Sequence, residues 1–218
     1  YLTDKETTYV TECVTMQVNV FLHLEKKMNR VEWFSTPIYH DFINVGGLKE
    51  IVDDIKKHQD GVTISNRGGW QSDDISDDVR LTDLKNTLEQ RALHVSKDLI
   101  RPGIGTFKMA NMWVNFNKKG SYNKIHEHPG CDLSGTVYIK THKDCGNIFF
   151  EDPRFMYRMN EHGYTDLYNK LTCIRAEYIP EDGKLLFFPG WIKHGVEENL
   201  TDEYRISIAF NMRMIYEG

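Results

Sequence analysis

The feature that most constrains this chain is a change of apolar period near residue 106. Beyond it, Ala110, Met112, Val114 and Phe116 alternate with Met109, Asn111, Trp113 and Asn115. Ser134, Thr136, Tyr138 and Lys140 alternate in the same way with Gly135, Val137, Ile139 and Thr141. Successive side chains of a strand point to opposite faces, so a period of two marks strands with one buried face. Ile148–Phe150, Cys173–Ile179, Lys184–Phe188 and Arg205–Met214 are further strand candidates. Short strands separated by turns predict a sandwich or barrel.

Upstream the period is helical. Leu48, Ile51, Val52 and Ile55 form one apolar stripe, with Asp53, Asp54, Lys56 and Lys57 outside it. Leu84, Leu88, Ala92, Val95 and Leu99 repeat the pattern, with Thr82 as the expected N-cap. Two helices followed by antiparallel strands predict a mainly β fold with helices buttressing one side of the core. The segment 33–42 (WFSTPIYHDF) reads as a strand interrupted by Pro37, hence an edge. Residues 7–24, rich in Thr and Val, also read as strand. No repeat or linker divides the chain. The expected organisation is one domain over 1–218, with an N-terminal extension (1–30), a helical support region (31–105) and a β-core (106–218).

Bulk properties exclude several classes. A chain of 218 residues with net charge −5 and no basic block is poorly suited to binding a phosphate backbone, so no nucleic-acid role is expected. Gly103 and Gly105 lack the third glycine of a dinucleotide fingerprint. Cys13, Cys131, Cys145 and Cys173 show no paired spacing and read as reduced thiols. With no apolar run of membrane-spanning length and no secretory signal, a cytoplasmic protein is expected. The chain does not begin with Met, so either its true start is expected upstream or a terminal stretch is missing from it.

The segment Asn123-Lys-Ile-His126-Glu127-His128-Pro129 carries the strongest chemical signal. On a strand, His126 and His128 face the same way and Glu127 faces away. His194 follows much later, after the buried run LLFFPG and a turn. Two neighbouring ligands and one distant ligand are how two strand ends would meet on one ion. Three protein ligands leave positions open, as a catalytic metal needs. Arg205 and Ser207 lie eleven and thirteen residues beyond His194 and share one strand face; Ile206, Ile208 and Phe210 share the other. An inward guanidinium needs an anion, and a carboxylate fits its fork. The alternative is a surface ion pair with Glu197, Glu198 or Glu203.

The segments His126–His128, SGTVYIK (134–140), GNIFFEDPR (146–154), GKLLFFPGWIKHGV (183–196) and YRISIAFN (204–211) resemble the 2-oxoglutarate- and iron(II)-dependent oxygenases related to prolyl 4-hydroxylases, of the type found in bacteria and phages. SNRGGWQS (65–72) and WFSTPIY (33–39) are similar to that family's N-terminal part, so the resemblance spans roughly residues 30–214. It implies a double-stranded β-helix (jelly roll), an Fe(II) centre, 2-oxoglutarate and O2 as co-substrates, and hydroxylation of a substrate. It also implies that His126 and His194 are metal ligands and that Arg205 with Ser207 anchors 2-oxoglutarate. Tyr138, with Ser134 and Thr136 on its face, matches a strand that contributes a hydroxyl to the co-substrate. One departure stands out: the superfamily has an acidic residue where this chain has His128. His128 is the expected third ligand by strand geometry, and Glu127 and Asp132 are the fallback acidic ligands.

For a small-molecule or peptide-side-chain substrate, the candidate lining residues are Trp70, Gln71, Trp113, Asn115, Tyr122, Arg154 and Trp191. The polar segment between Asp152 and Thr172 reads as a lid or an excursion over the site. Two competing readings remain at this point. One is a cupin-like three-histidine dioxygenase that takes no keto acid. The other is a metal-binding β-sandwich without enzymatic activity.

Overall fold

The computed structural model describes residues 34–100, 103–154 and 173–216. The chain divides into two compact units, Tyr1–Thr36 and Pro37–Gly218. The expected extension at 1–30, its strand at 7–24 and most of the expected lid segment lie outside the described residues.

The elements are β1 (Tyr39–Phe42), α1 (Leu48–His58), β2 (Asn66–Arg67), β3 (Trp70–Gln71), a 3-10 turn (Val79–Leu81), α2 (Thr82–Leu99), β4 (Gly105–Asn117), β5 (Tyr122–His126), β6 (Leu133–Lys140), β7 (Ile148–Glu151), β8 (Arg175–Tyr178), β9 (Lys184–Pro189), β10 (His194–Val196) and β11 (Arg205–Tyr216). They build two antiparallel sheets. One has six strands in the order β1-β9-β6-β11-β4-β3, and the other has five in the order β2-β5-β10-β7-β8. This is the jelly-roll arrangement of a double-stranded β-helix with N-terminal helices. As expected for a strand beside Pro37, β1 is an edge.

The alternation of β4, β6 and β11 assigns each residue of the large sheet to a face. Met112, Val114, Phe116, Val137, Ile206, Ile208 and Phe210 join one buried cluster with Val52 and Ile55 of α1 and Leu84, Leu88, Ala92 and Val95 of α2. The helices therefore cover the outer face of this sheet. Each Val, Leu, Ile, Phe or Met side chain among them contributes roughly 1.5–3 kcal/mol on full burial. The opposite, inner face carries Trp113, Asn115 and Asn117 on β4 and Arg205, Ser207 and Ala209 on β11. In register, Arg205 lies opposite Asn117, Ser207 opposite Asn115 and Ala209 opposite Trp113. A second apolar cluster, Tyr138, Ile148, Phe150, Leu186, Phe188 and Ile192, includes residues of β6 and β9 in the large sheet and β7 in the small one.

Two details of α2 differ from expectation. Thr82 is its first helical residue, and its hydroxyl donates to the Val79 carbonyl (2.8 Å). The capping carboxylate is that of Asp78, which accepts from the Arg80 N–H (3.0 Å), because the 3-10 turn starts the element one turn earlier. Leu99, at the end of the apolar stripe, is 44% exposed where the helix ends. Among the described residues, no helix is long and apolar enough to cross a membrane.

Candidate metal centre and anion cavity

His126 ends β5 and lies opposite His194, the first residue of β10. Between them the ladder carries a bulge: His194 pairs with His126, but Val196 pairs with Asn123. The extra residue on β5 brings Asn123 and His126 to the same cavity, which a strict period of two would forbid. It also supplies a hydrogen-bond partner, since His126 Nδ1 lies 2.7 Å from the Lys124 carbonyl. His194 Nδ1 lies 3.0 Å from the Ile192 carbonyl. Each carbonyl fixes the proton on Nδ1 and leaves a bare Nε2, the state a metal requires.

His128 reaches the same point by another route. The strand expected to run through residue 128 stops at His126. Pro129 follows, has no N–H to extend a ladder and restricts the residue before it. The His128 N–H donates to the Gly190 carbonyl (2.8 Å), and the His128 carbonyl accepts from the Cys131 N–H (3.2 Å). The ligating atoms of His126, His128 and His194 all lie within 4.8 Å of one another, and the Nε2 atoms of His128 and His194 are 3.3 Å apart. Two imidazole nitrogens each ~2.1 Å from a shared ion would be roughly 3–3.5 Å apart.

Burial keeps the three rings neutral. Desolvation, followed by the proximity of His126, depresses the pKa of His194 to about 3 and that of His128 to about 4. Desolvation also lowers His126, partly offset by its bond to the Lys124 carbonyl. No carboxylate belongs to the cluster among the described residues. Glu127 is exposed. Asp132 Oδ2 accepts from the Met214 N–H (2.8 Å). The donor set fits a divalent metal that accepts imidazole, with coordination positions left over.

The histidines line a cavity whose other wall is the inner face of the large sheet, including Arg205, Ser207, Tyr138, Thr136, Trp113 and Asn115. Arg205 is 2% exposed, so a surface ion pair is not its role. Glu203 pairs with Lys140 (2.6 Å), and the carboxylate of Glu197 meets Arg175. Arg205 Nη1 instead donates to three carbonyls, of Cys145, Gly146 (3.0 Å) and Glu197 (3.4 Å). These are its hydrogen bonds among the described residues, and none involves a carboxylate. Gly146 makes this possible: with φ +90°, a Cβ there would stand 2.7 Å from Arg205 Nη1. The Tyr138 phenol is driven upward in pKa by burial, against the opposing effect of Arg205, so it stays protonated and can donate. The Thr136 hydroxyl donates to the Ile208 carbonyl (3.3 Å). Ser134, expected beside the co-substrate, spends its hydroxyl on Asn211 Oδ1 (2.7 Å) and does not line the cavity.

The expected substrate residues divide. Trp113 lines the cavity with its ring 6.0 Å from that of His128, and Asn115 lines it too. Trp70 packs edge-on against Phe116 at 5.6 Å as part of the helix-side core. Gln71 is buried opposite Asn115 but does not reach the cavity. Tyr122 and Trp191 are exposed and outside the lining, and Arg154 is engaged by Asp152. Sequence reasoning missed Asn117, Asn123 and Ser65, whose hydroxyl accepts from Asn123 Nδ2 (3.1 Å). Asn117 was within reach, since it extends the alternation Trp113, Asn115 by one step. Asn123 was not, because the bulge breaks the period.

Residues 111–211 match the model of the family described as "Putative 2OG-Fe(II) oxygenase". The match contains all three histidines, Arg205 and Ser207. The matched segment is a little under half of the chain, and over it the protein resembles that family. Solved structures of similar fold extend over most of the chain. A prolyl-4-hydroxylase from Pseudomonas putida is 12% identical, with a TM-score of 0.58, over 82% of this chain and 93% of that one. HygX from Streptomyces hygroscopicus, solved with nickel and 2-oxoglutarate bound, is 13% identical, with a TM-score of 0.56, over 85% and 87%. The non-heme alpha ketoglutarate dependent epimerase SnoN from nogalamycin biosynthesis is 15% identical, with a TM-score of 0.59, over 81% and 78%. At these identities the likeness is one of fold. No curated protein sequence matches the chain. The segment that resembles the family also carries the histidine cluster, whose ligand atoms could hold a metal ion.

Proposed function

We propose that this protein is an iron(II)- and 2-oxoglutarate-dependent dioxygenase that hydroxylates an organic substrate. His126, His128 and His194 hold the iron. Arg205, with Ser207 and Tyr138, anchors the far carboxylate of 2-oxoglutarate. The reaction balances as substrate C–H, 2-oxoglutarate and O2 giving substrate C–OH, succinate and CO2. When bound, iron supplies the activation of dioxygen; the protein supplies ligands, orientation and exclusion of water.

The observation that carries this reading is a buried guanidinium facing the histidine cavity with no carboxylate partner among the described residues. Burying an unpaired charge is costly, and three carbonyls compensate it only in part. A dicarboxylic ligand supplies the missing anion in the geometry a guanidinium fork prefers. Tyr138 and Ser207 add neutral donors on the same wall. Trp113, beside His128 on the cavity wall, lies where the substrate would approach, and the substrate class is a small molecule or a peptide side chain. The free thiols of Cys131, Cys145 and Cys173 support a cytoplasmic setting.

One observation favours a second reading. A three-histidine donor set without a carboxylate also suits a cupin-like dioxygenase that uses no keto acid. Such an enzyme has no need of the Arg205 anchor. Anaerobic titration with Fe(II), with and without 2-oxoglutarate, separates the two. The proposed function requires a visible metal-to-ligand charge-transfer band that appears only when both are present. Iron binding without that band would leave the second reading standing. A succinate-release assay over a panel of peptides and small molecules then searches for the substrate.

A further inference from the structure

Five asparagines are buried among the described residues: Asn66, Asn115, Asn117, Asn199 and Asn211. Three of them serve the fold, and each is bonded at both ends of its carboxamide. Asn66 Oδ1 accepts from the Ile64 N–H, and its Nδ2 donates to the Val62 and Gly69 carbonyls. Asn199 Nδ2 donates to the Asn117 and Glu203 carbonyls, and its Oδ1 accepts from the Thr201 N–H and hydroxyl. Asn211 accepts from Ser134 and donates to Asn111.

Asn115 and Asn117 behave differently. They are 8% and 2% exposed, and neither side chain makes a hydrogen bond among the described residues. Asn115 Oδ1 and Asn117 Nδ2 are fully buried without a partner. A buried amide left unpaired costs about 1–3 kcal/mol, so two side by side call for a reason. These two, and none of the other three, line the histidine cavity.

Their register says what they face. Asn117 is directly opposite Arg205 and Asn115 directly opposite Ser207. Opposed residues on one sheet face bring their Cβ atoms to roughly 5 Å. The two carboxamides therefore flank the anion anchor on the β4 side, as Tyr138 flanks it from β6. A dicarboxylate offers acceptors only, so whichever amide end turns to it must be N–H. A carboxamide adds donors there without adding a second buried charge.

We propose that Asn117, supported by Asn115, is a ligand of the dianionic co-substrate and donates to the carboxylate that Arg205 anchors. The inference rests on the proposed use of 2-oxoglutarate. The test is anaerobic titration of 2-oxoglutarate into the Fe(II)-loaded protein, read by the charge-transfer band. Fe(II) affinity without co-substrate and thermal unfolding are measured on the same samples. Asn117→Ala is expected to weaken 2-oxoglutarate on the order of tenfold, the loss of one hydrogen bond to a charged group. Asn117→Asp keeps the shape, so it reports even if the alanine variant fails to fold. It should weaken 2-oxoglutarate further, whether the new carboxylate repels the ligand or captures Arg205. Fe(II) affinity without co-substrate should be unchanged in Asn117→Ala and no weaker in Asn117→Asp, whose added carboxylate favours a divalent ion in the same cavity. Unchanged 2-oxoglutarate affinity in Asn117→Asp, with only the melting temperature altered, would make Asn117 structural and overturn the inference while leaving the proposed function intact. Absence of the band in the unmodified protein would instead remove both.

Discussion

Replacing Arg205 by lysine isolates the anchor because it keeps the charge and removes the fork. Arg205 is the largest of the fully buried side chains among the described residues. Its Nη1 is committed to the carbonyls of Cys145, Gly146 and Glu197, which fixes the plane of the guanidinium. The remaining N–H groups are left for a ligand. A lysine has a single ammonium, which can satisfy those carbonyls or reach the ligand, but not both with good geometry. The variant therefore loses at least one charge-assisted hydrogen bond to the carboxylate, worth about 1.5–3 kcal/mol. That corresponds to roughly a 10- to 150-fold weaker 2-oxoglutarate affinity. Fe(II) binding in the absence of co-substrate should be unaffected, since the three histidines come from β5, the turn after it and β10. Anaerobic titration of the charge-transfer band measures the first quantity, and a competitive chelator measures the second. Equal 2-oxoglutarate affinity in the two proteins would refute the anchor. Parallel loss of iron and 2-oxoglutarate would mean that Arg205 supports the fold of the site and not the ligand.

Gly146→Ala should mimic that loss from outside the cavity. Its Cβ would stand 2.4 Å from the Glu197 carbonyl oxygen and 2.7 Å from Arg205 Nη1, in backbone that L residues rarely adopt, so lower stability and weaker 2-oxoglutarate binding should appear together in unfolding and titration experiments. The metal-free protein should lose stability as pH falls. His194 and His128 have folded pKa values depressed to about 3 and about 4, so the unfolded chain takes up protons first, near its usual 6.5; the contribution is present above that pH and is lost as pH falls towards the folded values. By pH 5 the loss from His194 is about 2 kcal/mol, readable by urea unfolding against a His194→Asn control, and a flat profile between pH 7 and pH 5 would contradict the assignment.

The helices and the large sheet were legible because one physical signal, the period of the apolar residues, governs both. Val52, Ile55, Leu84, Leu88, Ala92 and Val95 fall on the buried side as their spacing requires. The same period put Arg205 and Ser207 on one face and Ile206, Ile208 and Phe210 on the other, which the ladder with β4 reproduces. Legibility failed where that period is interrupted. The bulge between Asn123 and His126 brings to one cavity two residues that strict alternation separates. His128 meets His126 and His194 through a turn after β5, held by the Gly190 carbonyl, and not through the strand parity that the sequence suggests. Trp70 and Trp113 show a different limit. Both are aromatic and lie on the paired strands β3 and β4, yet one packs against Phe116 and the other reaches the cavity. Residue type does not reveal which face an aromatic occupies when its strand is only two residues long.

The missing carboxylate has an electrostatic consequence that ties the two halves of the site together. Three neutral imidazoles leave a divalent ion uncompensated, and Arg205 adds a further positive charge on the opposite wall. The lining residues include no acid among those described. In the proposed enzyme the dianionic co-substrate is then the principal source of negative charge, so iron and 2-oxoglutarate should each strengthen the binding of the other by the same factor. Exchanging His128 for aspartate supplies a negative charge from the protein itself. Iron should still bind, because a carboxylate suits a ferrous ion, whereas His128→Ala should bind it poorly. The mutual strengthening should shrink in the aspartate variant. A unit charge roughly 5 Å from a ligand, at an effective dielectric of about 20, is worth about 3 kcal/mol before screening, so a ten- to hundredfold reduction in the coupling factor is expected. The factor is the ratio of Fe(II) dissociation constants without and with saturating 2-oxoglutarate. An unchanged ratio in His128→Asp would show that the balance of charge is kept by a group other than the co-substrate, and normal iron binding by His128→Ala would remove His128 from the ligand set.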